Sequence, residues 1–426
     1  MSSLTEQLVQ FIEAKPIADA DLAKASDYVL DALANTRAGQ STEPGRIVKA
    51  WGEAAGRDPG REAFQLGALT HILEADDLHR KSVTHPGCVV VPAACALARS
   101  TGADGRTFLT AILKGFEAMC RIGAAVGPTH YRTWHNTATC GPFGSAYAAG
   151  TLLGLDPRAM VHALGNAGTQ SAGLWEFIAS GAMSKHLHAG RAAEAGVVAA
   201  ELAAHGFTGA PSILEGPRGF FAAACPDADP EAVLRAPDEP WQLHLTSIKP
   251  WPSCRHTHPA IDAALELAPH VDRFRKVEAW TYRAAIDVCD NVQPKTEYEA
   301  KFSLQHCIAA ALVDKEVVFT SFEAAARKRH ADLANRVVLA SGPPYDEAYP
   351  RAWGASVRVE LADGRVLAAE REHALGDPDA PLSSHRLEAK ARDLLVLGGV
   401  DPEPVVRQVH ALRAGGSPVG LADLVA

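Results

Sequence analysis

From Ala189 to His205 the chain is a helical stretch made largely of Ala and Gly. A helix with so little side chain lets neighbouring helices approach its backbone, so it belongs in a tightly packed bundle. Thr107 to Ile122 reads as a helix too. Leu109, Ile112, Leu113, Phe116, Met119 and Cys120 recur at helical spacing. Glu117 and Arg121 stand four apart in the supporting orientation, and Gly105 and Gly127 act as breakers. Asp156 to Gly168 is a third such segment. The pattern predicts a compact helical bundle and not a coiled coil.

Past about residue 270 the pattern changes. Lys276 to Asp287 alternates and is β-prone at its centre. Ala355 to Ala369 reads as a hairpin, with Val357, Val359 and Leu361 facing one way and Asp363-Gly364 as its turn. Ser303 to Asp314 and Ser321 to Leu333 read as helices between them. Ser383 or Ser384 caps a last helix through Leu397, stopped by Gly398-Gly399. The expected fold is mainly α: a large all-helical domain over 1–269, completed by 383–426, and a smaller α+β lid domain over 270–382. The length of 426 residues suits two or three domains.

A net charge of −9 argues against a general nucleic-acid binder, because a polyphosphate needs a basic surface. The most apolar run, Cys88 to Ala98, is too short for a membrane span and contains Pro92. No secretory leader is read at the start, and the 8 cysteines include no C-x-x-C pair. Free thiols in a reducing compartment, the cytoplasm, are expected. No phosphate-binding loop and no G-x-S-x-G elbow is present, which counts against nucleotide-dependent and common serine-hydrolase chemistry.

Four segments carry candidate chemistry. His135 precedes Asn136-Thr137-Ala138-Thr139 near a helix start. It suits either a general acid or base or a capping and packing residue. Lys185-His186-Leu187-His188, with Arg191 one turn on, reads as a solvated basic face or as a buried cationic cluster. The small apolar neighbours Gly181, Ala182, Ala189 and Gly190 favour burial. Lys249-Pro250-Trp251-Pro252-Ser253-Cys254-Arg255-His256-Thr257-His258 leads into a helix whose N-terminus would favour an anion. Its C-x-H-x-H spacing is not a usual zinc pattern. Asp76-Asp77-Leu78-His79 with Thr84-His85-Pro86-Gly87 offers acid/base groups, metal ligands, or merely a polar loop.

Taken in order, these segments resemble the MmgE/PrpD family, which includes 2-methylcitrate dehydratase, cis-aconitate decarboxylase and iminodisuccinate epimerase. The resemblance rests on Asp76-Asp77 with His85-Pro86-Gly87, and on His135-x-Thr137-x-Thr139 leading to Gly154-Leu155-Asp156. It continues through Met183-x-Lys185-x-x-His188-x-Gly190-Arg191, Lys249-x-x-Pro252-Ser253-Cys254 with His258, and Lys301-Phe302-Ser303. It implies a helical domain with an α+β lid, and a dimer acting on small di- or tricarboxylates without an iron–sulfur cluster. Three positions that match the family's substrate pocket depart from its pattern: Glu74 for Asp, Leu78 for Thr and His306 for Tyr.

The resemblance implies a cofactor-independent lyase or isomerase, dehydratase-like, that abstracts a proton next to a carboxylate. His135 is the first choice for base or acid and His85 the second. Lys185 with Lys249 and Arg255 would hold carboxylates and stabilise the developing charge. Asp76, Asp77, Thr137, His188, Glu74, Leu78 and His306 would line the substrate site. No metal is expected, and the partner is a small anion. An epimerase or decarboxylase of the same family is an alternative. So are a metal-dependent lyase using Asp76, Asp77, His79 and His85, and a non-catalytic carboxylate-binding protein.

Overall fold

The computed structural model describes residues 2–53, 58–271 and 274–425. The described residues form twenty α-helices with two small sheets, so the protein is mainly α. The chain divides into two compact units, Met1–Ile248 with Ser383–Ala426, and Lys249–Leu382. The boundary therefore falls before Lys249, whereas composition placed it near residue 270. The irregular 249–257 stretch and the helix His258–Leu267 belong to the second unit.

The first unit is built around the helix Asn136–Leu152, buried at every position except Thr151. Helices Gly87–Thr101, Gly105–Ala125, Pro157–Gly168 and Ser184–Ala204 pack on it, and Pro59–Thr70 packs on Gly87–Thr101 and Ser184–Ala204. Small residues make this possible. A Cβ on Gly115 would lie 2.8 Å from the carbonyl oxygen of Gly144. One on Gly196 would lie 2.0 Å from Ser145 Oγ, and that hydroxyl donates across the contact to the Ala192 carbonyl at 2.6 Å. The expected helices are present as Gly105–Ala125, Pro157–Gly168 and Ser184–Ala204, the first two capped by Asp104 and Asp156. The third starts five residues ahead of Ala189, which puts Lys185, His186 and His188 on its first turns. Ser383 caps the returning helix Ser384–Leu397, which packs on Asp19–Gly39. From it, Lys390 reaches Asp31 Oδ1 at 2.5 Å and the Ala75 carbonyl at 2.6 Å, fixing the loop that carries Asp76 and Asp77.

The second unit holds a four-stranded sheet ordered Val337–Ser341, Phe274–Thr281, Ala355–Leu361, Val366–Arg371. The first pair is parallel and the others antiparallel. The hairpin lies where alternation placed it, with Val357, Val359 and Leu361 on its buried face and Gly364 at φ 87°. The β-prone segment read over 276–287 is shorter than expected. Its strand stops at Thr281, and Arg283–Cys289 is helix, where Ala284-Ala285 ends the alternation. No helix among the described residues is long and apolar enough to cross a membrane.

Candidate active site

His135 occupies the N-cap position of the central helix, but its ring makes no capping hydrogen bond. Its backbone N–H donates to the Gly173 carbonyl at 3.0 Å, and Trp134 bridges Leu174. This pairing brings Trp175 against the ring, with centroids 4.7 Å apart. The other side of His135 meets the helix Ser184–Ala204, where its Nδ1 lies 3.2 Å from Nδ1 of His188. One of these nitrogens must carry the shared proton, so neighbouring charge sets both tautomers.

The segment from His71 to Gly87 supplies the rest of the cluster. His71, just past the helix Pro59–Thr70, is fully buried, and its Nδ1 is 2.6 Å from Asp76 Oδ2. The ring of His85 lies 4.7 Å from that of His71 and 6.5 Å from that of His135. Its Nδ1 is 2.5 Å from the Asp77 carbonyl oxygen, to which it donates. Thr137 Oγ1 accepts from the His85 backbone N–H at 3.0 Å, tying this loop to the central helix. Asp77 accepts from the Gly87 N–H at 2.9 and 3.0 Å, and a Cβ at Gly87 would meet this carboxylate at 2.9 Å. Glycine after His85-Pro86 is thus required by a close approach. Leu78 is buried in a two-residue strand paired with Thr246–Ser247.

Lys185 is buried and ion-paired to Glu74. The cationic run on this helix is therefore not a solvated face. Lys185, His186 and His188 are 5, 6 and 8% exposed, while Arg191 alone reaches outward to Glu194. Burial, followed by His71, Lys185, His188 and His85, holds His135 well below the usual histidine range. Burial and then His71 and Lys185 bring His188 down to about 4. Both imidazoles are therefore uncharged near neutral pH, the state a proton acceptor needs. A cavity of about 620 Å³ borders His188 and is lined by Trp134, Ala138, Gly173, Phe177 and Leu187.

The four residues read as a rival metal set do not converge. His79 pairs with Ser82 Oγ at 2.8 Å, and the Asp77 carboxylate faces the Gly87 N–H. A different trio, His71, Asp76 and Cys88, has its heteroatoms within 4.8 Å of one another. Its contacts are those of a hydrogen-bonded cluster: His71 to Asp76, and Cys88 Sγ to the His85 carbonyl at 3.2 Å. Burial, with Asp76 and Asp77 nearby, drives the Cys88 thiol well above its usual range and opposes a thiolate.

Within the second unit, Lys249 and Arg255 are buried, and Arg255 pairs with Asp377 at 2.5 Å. His256 turns to the Tyr282 hydroxyl at 2.6 Å and stacks on Trp353, while His258 Nε2 faces the Ser253 carbonyl at 3.2 Å. The C-x-H-x-H run thus sends its two imidazoles to different partners. His306 donates from Nε2 to the Ser321 carbonyl at 2.8 Å and packs on Phe322 and His330.

Sequence reasoning missed His71 and Trp175. Only a histidine at the end of an apolar helix, five residues before Asp76, signalled the first. Nothing local signals the second, because its place depends on the 134–174 bridge.

Fold and site together define a mainly α protein with a buried histidine cluster beside an ion-paired lysine. Residues 6–233 match the MmgE/PrpD N-terminal domain and residues 251–408 the MmgE/PrpD C-terminal domain, so the chain belongs to the MmgE/PrpD family. It is 26% identical over 409 residues to a cis-aconitate decarboxylase of Aspergillus terreus, covering 89% of this chain and 83% of that one. It is 27% identical over 430 residues to the cis-aconitate decarboxylase of Homo sapiens, covering 92% and 88%. A cis-aconitate decarboxylase-like protein, oryM, of Aspergillus oryzae is 25% identical over 401 residues, covering 86% and 82%. These relationships support an enzyme of the dehydratase and decarboxylase type.

Proposed function

We propose that this protein is a lyase that removes or returns a proton next to a carboxylate on a small di- or tricarboxylate, without a metal or organic cofactor. The observation that carries this reading is His135 itself: a buried, uncharged imidazole sharing a proton with His188, ringed by His71, His85 and Lys185. In this reading His135 takes the proton and His85 serves as the second acid/base group. Lys185 stabilises the charge that develops on the carboxylate. Loss of CO2 from a cis-aconitate-like substrate is the first reaction to test, since that is what the named relatives do. Leu78 and Glu74, where the family has Thr and Asp, argue that the preferred acid differs from cis-aconitate. Dehydration and epimerisation use the same proton step and remain alternatives within the reading.

We also propose a homodimer. Leu174, Ile178, Met183 and Leu187 are 51, 59, 44 and 48% exposed, large apolar side chains suited to burial against a second copy. Light scattering on the purified protein tests it.

The deciding experiment for function is a panel of di- and tricarboxylates, screened by thermal shift and then by NMR for turnover. A ligand at about 100 times its Kd should stabilise the fold by about 2.7 kcal/mol. Turnover of none of the panel, with no thermal shift, would sink the reading.

A further inference from the structure

A further titratable group, His71, stands at the centre of the cluster. His71 is fully buried, and its Nε2 has no hydrogen-bond partner among the described residues. Its Nδ1 holds Asp76 Oδ2 at 2.6 Å, and the same oxygen lies 3.6 Å from Nδ1 of His85. One carboxylate thus stands between two imidazoles and lies closer to His71. His85 sends its Nδ1–H to the Asp77 carbonyl at 2.5 Å. A neutral carbonyl favours imidazolium far less than a carboxylate does. On its other side, His71 lies within 16° of parallel to His135, with centroids 5.7 Å apart. After burial, the neighbouring His71 is the foremost group opposing protonation of His135.

His135 is faced by His71, His85, Lys185 and His188. His85 is faced by His71, Asp76 and Asp77, with the Cys88 thiol on its carbonyl. The three acids each have another engagement: Asp76 with His71, Asp77 with the Gly87 N–H, Glu74 with Lys185. The anionic charge of Asp76 and Glu74 is directed toward His71 and Lys185.

We infer that His71, paired with Asp76, is a positioning residue that keeps His85 and His135 in the uncharged form a base requires. This inference rests on the proton-transfer reading of the cluster. Its test does not depend on knowing the substrate. Histidine-labelled protein is titrated by NMR, with the His85 and His135 resonances assigned by their loss in H85N and H135N. The comparison is wild type against H71N, whose side-chain amide still donates to Asp76 but cannot titrate, with H71Q as a second variant. The expected result is a His135 midpoint about one pH unit higher in both variants. With an active substrate, the acidic limb of kcat/KM moves up by the same amount and the plateau is kept. That is a loss of about tenfold one unit below the wild-type limb. Unchanged midpoints at both His85 and His135 overturn the inference. Loss of the fold in both variants also overturns it, since His71 would then serve packing alone. If wild type turns over no carboxylate, the functional reading fails while the titration still decides the role of His71.

Discussion

The ammonium of Lys185 is ion-paired to the carboxylate of Glu74, and both side chains are almost wholly buried. Glu74 makes this contact from the left-handed backbone region, at φ 59°, where a residue other than glycine is uncommon and is held by its surroundings. The cation expected to receive a substrate carboxylate therefore already has an internal anion. A substrate must compete with Glu74 or share the lysine with it.

The pair sets the first prediction. Lys185→Ala leaves a buried carboxylate without its cation, a change that typically costs about 3–5 kcal/mol. The variant should unfold at lower temperature, and Lys185→Ala with Glu74→Gln should recover much of that loss. Glu74→Gln alone leaves the ammonium without its anion, so it too should lower the unfolding temperature, but it should lower KM for carboxylate substrates, because Lys185 is released to them. A KM that rises in Glu74→Gln would mean that Glu74 orients the lysine and does not compete for it.

The second prediction concerns His135. Its ring caps nothing and is turned toward His188, so its removal should affect chemistry more than folding. His135→Asn should lower kcat by about 10²- to 10⁴-fold at an unchanged unfolding temperature. Near wild-type kcat on the true substrate would place the base elsewhere.

Acid stability gives the third. Burial brings His79 and His256 down to about 3, and His188 and His306 to about 4, from an ordinary value of 6.5. Such groups take up protons when the chain unfolds and not while it is folded. The stability from keeping them neutral is complete above pH 6.5 and is lost as the pH falls toward these values. Urea midpoints should fall steadily from pH 6.5 to 4.5, and His79→Asn should flatten that slope. An unvarying midpoint over this range would contradict the neutral burial of these rings.

The fourth prediction is that activity survives exhaustive chelation. His71 and Asp76 are hydrogen-bonded to each other, and Cys88 is held as a thiol. Activity lost to a chelator and restored by one equivalent of a transition metal would assign the trio to a metal instead.

Local rules carried much of the way in this chain. The periodicity of Leu109 to Cys120, the caps at Asp156 and Ser383, and the alternation of Val357, Val359 and Leu361 each reflect interactions within a few residues. Such interactions are written in sequence directly. The ordered motifs likewise marked His85, His135, Lys185 and His188, which the fold gathers into one cluster within the first unit. The partner each side chain takes was a different matter. Glu74 and Lys185 are 111 residues apart, His135 and His188 are 53 apart, and Arg255 meets Asp377 within the other unit. Those pairings depend on how closely Ala- and Gly-rich helices approach, and that distance is set by packing of the whole unit and not by any local pattern. The same packing turned His71 from a residue at the end of a helix into the centre of the site. The sequence by itself determined the helices, the hairpin and the supply of basic groups; the tertiary structure decided which of those groups are buried, which are already paired, and which remain uncharged.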